Sequence, residues 1–211
     1  MLQGFSVPLT PQGESALAKL PPWHYSSDCI AVEYWTDPRA VAALLPSGVV
    51  PDEPSNGRAF FWFLDWQFTG SHDELTDPAR YQYREAFVLV EAIFEGKPIN
   101  YCPYIFVDND AAIARGWAQG FPKKFGSIFQ TRSFSAPSPA AAPLAKGSRF
   151  GASVRMGNGV LVAAAALPRS AFPCSTALAY GLRGSHSLDP AWSYSSAWLK
   201  RREQVPLVRH R

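Results

Sequence analysis

From Ala59 to Phe68 the chain is almost wholly aromatic and aliphatic, interrupted only by Asp65 and Gln67. A run this short and this apolar reads as a strand covered on both faces, which commits the chain to at least one layer on each side of a sheet. Its neighbours alternate instead. In Cys29–Trp35, Ile30, Val32 and Tyr34 fall on one face and Ala31, Glu33 and Trp35 on the other. Tyr83–Phe94 places Tyr83, Glu85, Phe87, Leu89, Glu91 and Ile93 on one side. Asn100–Val107 is a further strand, with Pro103 marking an edge or a bulge.

Turn and cap signals divide these runs. Asp37-Pro38 caps a short helix that Pro46 ends. Glu95–Pro98 makes a turn, and Asn109 or Asp110 opens a helix through Ala118 that Gly120 stops. Arg149–Met156 and Val160–Ala166 flank Gly-Asn-Gly as a hairpin. Residues 1–27 read as an irregular arm with a weak helical turn around Glu14–Leu20, and Ser71–Pro78 and Phe134–Gly147 as surface loops. Beyond Pro168 no pattern assigns the chain. At 211 residues it fits one domain.

Charge and cysteine content narrow the classes. The net charge of +3 is concentrated in the tail from Lys200, where Lys200, Arg201, Arg202, Arg209 and Arg211 face only Glu203. No aromatic residue interleaves with those charges, so the tail reads as a solvated terminus and no nucleic-acid partner is expected. The longest apolar run, Val160–Leu167, is too short to cross a bilayer, and the first ten residues lack the pattern of a secretory leader. Cys29, Cys102 and Cys174 are scattered and the four histidines form no metal-type pair. The expectation is a cytoplasmic protein with reduced thiols, no metal and no cofactor.

Chemistry enters at Gly120-Phe121-Pro122-Lys123-Lys124, two ammonium groups in a stretch otherwise poor in charge. Only a neutral amine attacks a carbonyl to form an imine, and a lysine with the usual pKa of about 10.4 is almost never neutral at pH 7. Two terms lower that pKa. A second cation about 4 Å away costs roughly 4 kcal/mol at an effective dielectric near 20, and burial among Phe121, Phe125 and the aromatic strands has a similar effect. Consecutive side chains in an extended segment diverge, so Lys124 is badly placed to act on Lys123, and desolvation is expected to dominate. The chemistry requires Lys123 to be dry and not held as an ammonium by a carboxylate.

Three segments in order, Tyr83-Arg84-Glu85, Val107-Asp108-Asn109-Asp110 and Gly120-Phe121-Pro122-Lys123-Lys124, resemble the acetoacetate decarboxylase family over about Cys29 to Ile128. The resemblance implies a mostly β, α+β fold, a cone-like antiparallel β-barrel with a few short helices, assembled as a homo-oligomer. It implies Lys123 as the imine-forming nucleophile, Lys124 as its neighbour and Glu85 as an acid/base or orienting group. Trp62, Tyr83, Phe121 and Trp117 are the candidate substrate-lining aromatics. The family arginine that faces a substrate carboxylate aligns at Ser27, and a second family glutamate aligns near Trp62, so neither charge is expected in the pocket. The implied activity is a lyase acting on a keto acid or other small carbonyl compound. It would either decarboxylate a β-keto acid or run aldolase/dehydratase chemistry through the same enamine. A catalytically silent pocket for an apolar ligand is the alternative. Arg84 should point away from Glu85, and Glu91 should be structural.

Overall fold

The computed structural model describes residues 23–69, 76–136, 138–141, 143, 145, 148–157, 159–166, 179–182 and 200–201. Eleven strands and three α-helices follow one another as β1 (His24–Trp35), α1 (Pro38–Leu44), β2 (Val49–Pro51), β3 (Arg58–Thr69), α2 (Pro78–Tyr81), β4 (Gln82–Phe94), β5 (Lys97–Val107), α3 (Asp110–Ala118), β6 (Lys123–Phe125), β7 (Ser127–Gln130), β8 (Arg149–Met156), β9 (Gly159–Ala166), β10 (Ala179–Leu182) and β11 (Lys200–Arg201). A large sheet runs β10-β1-β3-β4-β5-β11, with β2 beside β4 and β6 beside β5. A second sheet orders β7-β8-β9. The mostly β class follows as expected. Among the described residues the large sheet is an open path, and it is mixed because β6 runs parallel to β5.

The aromatic run becomes the centre of the molecule because its two faces are buried against different partners. Phe61 and Phe63 of β3 pack with Ile30, Ala86, Ile128, Phe150, Ala152 and Val154, so the second sheet covers this outer face. Phe60, Trp62 and Leu64 point the other way, with Cys29, Ala31, Leu89, Cys102 and Ile105. Phe68 continues that inner face beside Tyr83, Val107 and Ala112. A strand with only one buried face could not carry so many aromatics without exposing them.

Several boundaries differ from those read in the sequence. The first strand begins at His24, not Cys29, because Tyr25 and Ser27 pair with Phe68 and Trp66 of β3 and fill the inner face. Strand β5 starts at Lys97, and it absorbs its irregularity in a register shift opposite Val88 and Val90. The lysine pair, expected in a loop, lies in the short strand β6, paired with Ile105 and Phe106 of β5. Strands β2 and β7 were unmarked in the sequence, being three and four residues long. Lys200 and Arg201, expected in a solvated tail, pair with Asn100 and Ile99. The helical turn around Glu14–Leu20 and most of the acidic loop lie outside the described residues, as do the remainder of the tail and Cys174. Both helix caps are as expected: Asp37 accepts from the Arg39 amide at 2.9 Å, and Asn109 from the Ala112 amide at 2.9 Å.

No helix among the described residues is long and apolar enough to cross a membrane, which says nothing of strands.

Because Phe63 is fully buried between the sheets and Phe129 is 59% exposed, their truncations should separate clearly. Phe63→Ala is expected to cost about 3–5 kcal/mol of unfolding free energy, against roughly 0.5 kcal/mol for Phe129→Ala. Equilibrium denaturation by urea measures both.

Candidate active site

The inner face carries the polar site, and the three sequence segments converge there for identifiable reasons. Asp108 ties the start of β4 to the end of β5. Its carboxylate accepts from the Arg84 amide at 2.6 Å, and its own amide donates to the Arg84 carbonyl at 3.2 Å. That double link fixes Glu85 beside the entry to α3. The Arg84 side chain lies on the outer face, donating to the Ile128 carbonyl at 3.3 Å and resting over Phe129.

Helix α3 then ends in a two-bond reversal. The Phe121 amide returns to the Gly116 carbonyl at 2.8 Å and the Gly120 amide to the Trp117 carbonyl at 3.0 Å, with Gly120 at φ +85°. This is the Schellman arrangement, and its left-handed residue is why a glycine stands at 120. The reversal brings Lys123 back against the last turn of α3. Its stem lies directly over Gly116: a β-carbon there would stand 2.3 Å from Lys123 Cδ and 2.7 Å from Cγ, so only glycine leaves the space. The Trp117 indole donates to the Lys123 carbonyl at 2.8 Å and holds the backbone as well.

Lys123 is 6% exposed, and its Nζ stands 2.7 Å from Glu85 Oε1. Tyr83 and Phe121 present their rings to the same ammonium at 5.6 and 6.0 Å. Burial is the largest influence on Lys123 and lowers its pKa below the ordinary lysine range. The Glu85 charge opposes that shift, and the Arg115 charge adds to it. The expectation that desolvation outweighs Lys124 matches this arrangement. Lys124 is exposed on the opposite side of β6 and is not brought to the site, because alternation along an extended strand turns it away. The requirement that no carboxylate hold Lys123 as an ammonium is not met, since Glu85 stands at ion-pair distance, 2.7 Å. The Glu85 charge favours the ammonium while burial and Arg115 disfavour it, and burial is the larger influence.

Tyr83 is buried, and loss of hydration pushes its phenol well above the usual range, so it stays protonated. Trp62 lies further along the inner face, stacked on Phe87 with centroids 6.3 Å apart. Phe121 packs against the same cluster. Trp117 is 65% exposed and meets Lys123 through its backbone. Glu91 shares Glu85's face but is six residues away, about 20 Å along a strand. There it pairs with Arg58 at 2.9 Å, closing the far end of the face. Among the described residues no three His, Cys, Asp or Glu side chains converge to hold a metal.

Two residues of the site were not singled out from the sequence. Arg115, 3% exposed on α3, stacks its guanidinium over Phe68 at 3.7 Å and lies against Tyr25 and Tyr83 at 5.7 and 5.6 Å. One of its terminal amino groups has no partner among the described residues. A buried cation thus stands beside the inner-face aromatics, on α3 and not at position 27. Ser27 itself is buried on the inner face opposite Trp66, its hydroxyl also without a partner among the described residues. Trp66 donates from its indole to Glu85 Oε2 at 2.7 Å. The available signal for Arg115 was a charge in the last turn of a helix that stops just before the lysine segment. For Trp66 it was its parity with Trp62 and Leu64.

Comparison with known proteins bears on the family and the fold. The sequence profile of the acetoacetate decarboxylase family matches residues 6–173. Solved structures of the enduracididine biosynthesis enzyme MppR superpose with a TM-score of 0.71 at 39% identity. In its complex with pyruvate the match covers 79% of this chain and 65% of that one. With a HEPES buffer molecule bound, the figures are 78% and 62%. An acetoacetate decarboxylase-like enzyme from Sphingomonas wittichii RW1 shares the fold at TM-score 0.68 and 24% identity, covering 78% of this chain and 65% of its own. The matched region thus spans a little under two thirds of each of these relatives. No curated protein matches the sequence. With the profile covering most of its length, the chain belongs to the acetoacetate decarboxylase family.

Proposed function

We propose that this chain is an imine-forming lyase acting on an α-keto acid. Lys123 is the nucleophile, Glu85 the proton carrier, and Arg115 the partner of the substrate carboxylate. The observation that carries the reading is Arg115. The Arg115 guanidinium is 3% exposed and is held by the Tyr25 and Tyr83 hydroxyls and the Phe68 ring, none of them an anion, and one of its amino groups has no partner among the described residues, so an arriving carboxylate would find a buried charge and a free donor. A carboxylate one bond from the imine carbon is the anion that would reach both groups at once. The Ser27 hydroxyl, on the same face, offers it a second donor.

The steps follow from charge and geometry. Glu85 takes the proton of Lys123, and the neutral amine adds to the keto carbon. The carbinolamine loses water as Glu85 returns a proton to the leaving hydroxyl. The resulting iminium withdraws electrons from the adjacent carbon, whose proton passes to Glu85 and leaves an enamine. That enamine attacks an aldehyde, the new alkoxide takes a proton from Glu85, the adduct loses water, and hydrolysis of the remaining iminium releases the condensed product and frees Lys123. Decarboxylation is the less favoured branch. In an α-keto acid the carboxylate sits on the imine carbon itself, so its loss would leave an electron pair that the imine π bond cannot accept, whereas loss of a methyl proton feeds that π bond directly. The MppR structures, solved with pyruvate and with the condensation product of pyruvate and imidazole 4-carboxaldehyde, support the same branch.

Reduction with borohydride in the presence of pyruvate tests the imine. Mass mapping should find one adduct on Lys123, and none in Lys123→Met. Labelling spread over surface lysines, or no labelling, would instead favour a binding protein. Arg115→Gln should weaken pyruvate binding by about 10- to 100-fold, the worth of a charge-assisted hydrogen bond, with little effect on a neutral ketone such as acetone.

The pH dependence is signed. Imine formation rises with pH as Lys123 loses its proton, with a midpoint below that of an ordinary lysine because burial disfavours the ammonium. Glu85→Gln removes an influence that raises the Lys123 pKa, so the midpoint moves down. Arg115→Gln removes one that lowers it, so the midpoint moves up. Stopped-flow titration of imine formation reads both shifts.

Gly116→Ala tests the seat beneath the lysine. Alanine favours a helix by about 1 kcal/mol over glycine, which offsets part of a cost of about 1–3 kcal/mol for displacing the buried lysine stem, so the fold should persist with a modestly lower Tm. The rate of trapping on Lys123 should nonetheless fall at least roughly tenfold, because a misplaced nucleophile loses its alignment.

A further inference from the structure

The site holds one group whose chemistry is more restrictive than its position suggests. Trp66 Nε1 lies 2.7 Å from Glu85 Oε2, while Glu85 Oε1 lies 2.7 Å from Lys123 Nζ. The sheet register explains the reach: Trp66 pairs with Tyr83 and Leu64 with Glu85, so Trp66 and Glu85 are diagonal neighbours on one face. The indole has little freedom, packed edge-on to Tyr25 at 5.6 Å and against Tyr83 at 6.4 Å.

We propose that Trp66 is a positioning residue that confines the acid/base chemistry of Glu85 to the single oxygen facing the imine. An indole N–H donates and never accepts. Oε2 therefore serves as an acceptor, and because the carbonyl oxygen of a carboxylic acid accepts far better than its hydroxyl oxygen, a proton on the carboxyl is favoured on Oε1. Rotation of the carboxyl would also take the half-buried indole N–H from its partner. A carboxylate with two equivalent oxygens could store the proton on the distal one, out of reach of substrate. Here the indole disfavours that placement.

The inference rests on the imine reading and concerns the step after imine formation. With pyruvate, the methyl C–H bond breaks and the proton passes to Glu85 Oε1. The electron pair forms the carbon–carbon double bond of the enamine, and the iminium π pair returns to the Lys123 nitrogen. In heavy water the reverse step places a deuteron on the methyl carbon, with no other reactant consumed.

The experiment replaces Trp66 with phenylalanine and, separately, with benzothienylalanine, which keeps the bicyclic shape and exchanges N–H for sulfur. Two quantities are read with pyruvate: borohydride-trapped adduct on Lys123, and deuterium entering the methyl group per trapped adduct. Trapping in both variants should stay within about threefold of the parent, while exchange per adduct falls roughly 100-fold, the low end of what a positioned general base contributes. Exchange per adduct unchanged in the benzothienyl variant would overturn the proposal, as would trapping and exchange falling in equal proportion. Absence of any adduct in the parent protein is a separate result. It would remove the imine reading first, and this inference with it.

Discussion

Everything distinctive about the inner face follows from enclosing a lysine where water cannot reach it. An ammonium in such a place is costly, and the protein offers it one carboxylate, Glu85, at 2.7 Å, while Arg115 stands near enough to push the other way. Two buried cations against one buried carboxylate is a deficit of negative charge. A charge-balanced pocket would be content empty. An excess of buried positive charge favours a ligand that brings a carboxylate, or loss of the lysine proton.

The scaffold that supports this imbalance is built from backbone contacts. Asp108 binds both backbone groups of Arg84, the Schellman turn at Gly120 returns the chain to α3, and the Trp117 indole fixes the carbonyl of Lys123. None of these is a reacting group. Together they remove the freedom a long lysine side chain would otherwise have, and the absent β-carbon at Gly116 supplies the groove in which the stem rests. The resemblance of the three segments to one family thus has a mechanical meaning. Tyr83–Glu85, Val107–Asp110 and Gly120–Lys124 are the strand start, helix entry and helix exit that must coincide for a buried lysine to meet a buried glutamate.

That coincidence also explains what the sequence disclosed and what it withheld. Strands were legible wherever alternation or a two-sided apolar run was long enough, as in β3, β4 and the β8–β9 hairpin. Helix α3 was legible from its cap and its glycine stop. The short strands β2, β6 and β7 were not, since three or four residues carry no period. Lys123 and Glu85 were found because a motif carries them. Arg115 was missed because the search for a cation followed one alignment column to Ser27, whereas a pocket is satisfied by a charge arriving from any element. Trp66 was missed for a simpler reason: among so many aromatics in one strand, nothing but the pairing register tells which indole meets a carboxylate.

The two missed residues change the character of the site. Without them, a lysine and a glutamate face one another in an apolar cavity that could hold any small ketone. On the proposed reading Arg115 receives the substrate carboxylate, and in an α-keto acid that carboxylate stays because the imine cannot accept the electrons its loss would leave on the imine carbon. With Trp66 the glutamate becomes directional, its proton favoured on the side where substrate carbon must lie. Retention of the carboxylate and a base aimed at the neighbouring carbon are the two demands of enamine chemistry on an α-keto acid. On the proposed reading the electron sink lies beside the methyl carbon, the guanidinium holds the substrate and the indole aims the base, which together suit the scaffold to making a carbon–carbon bond.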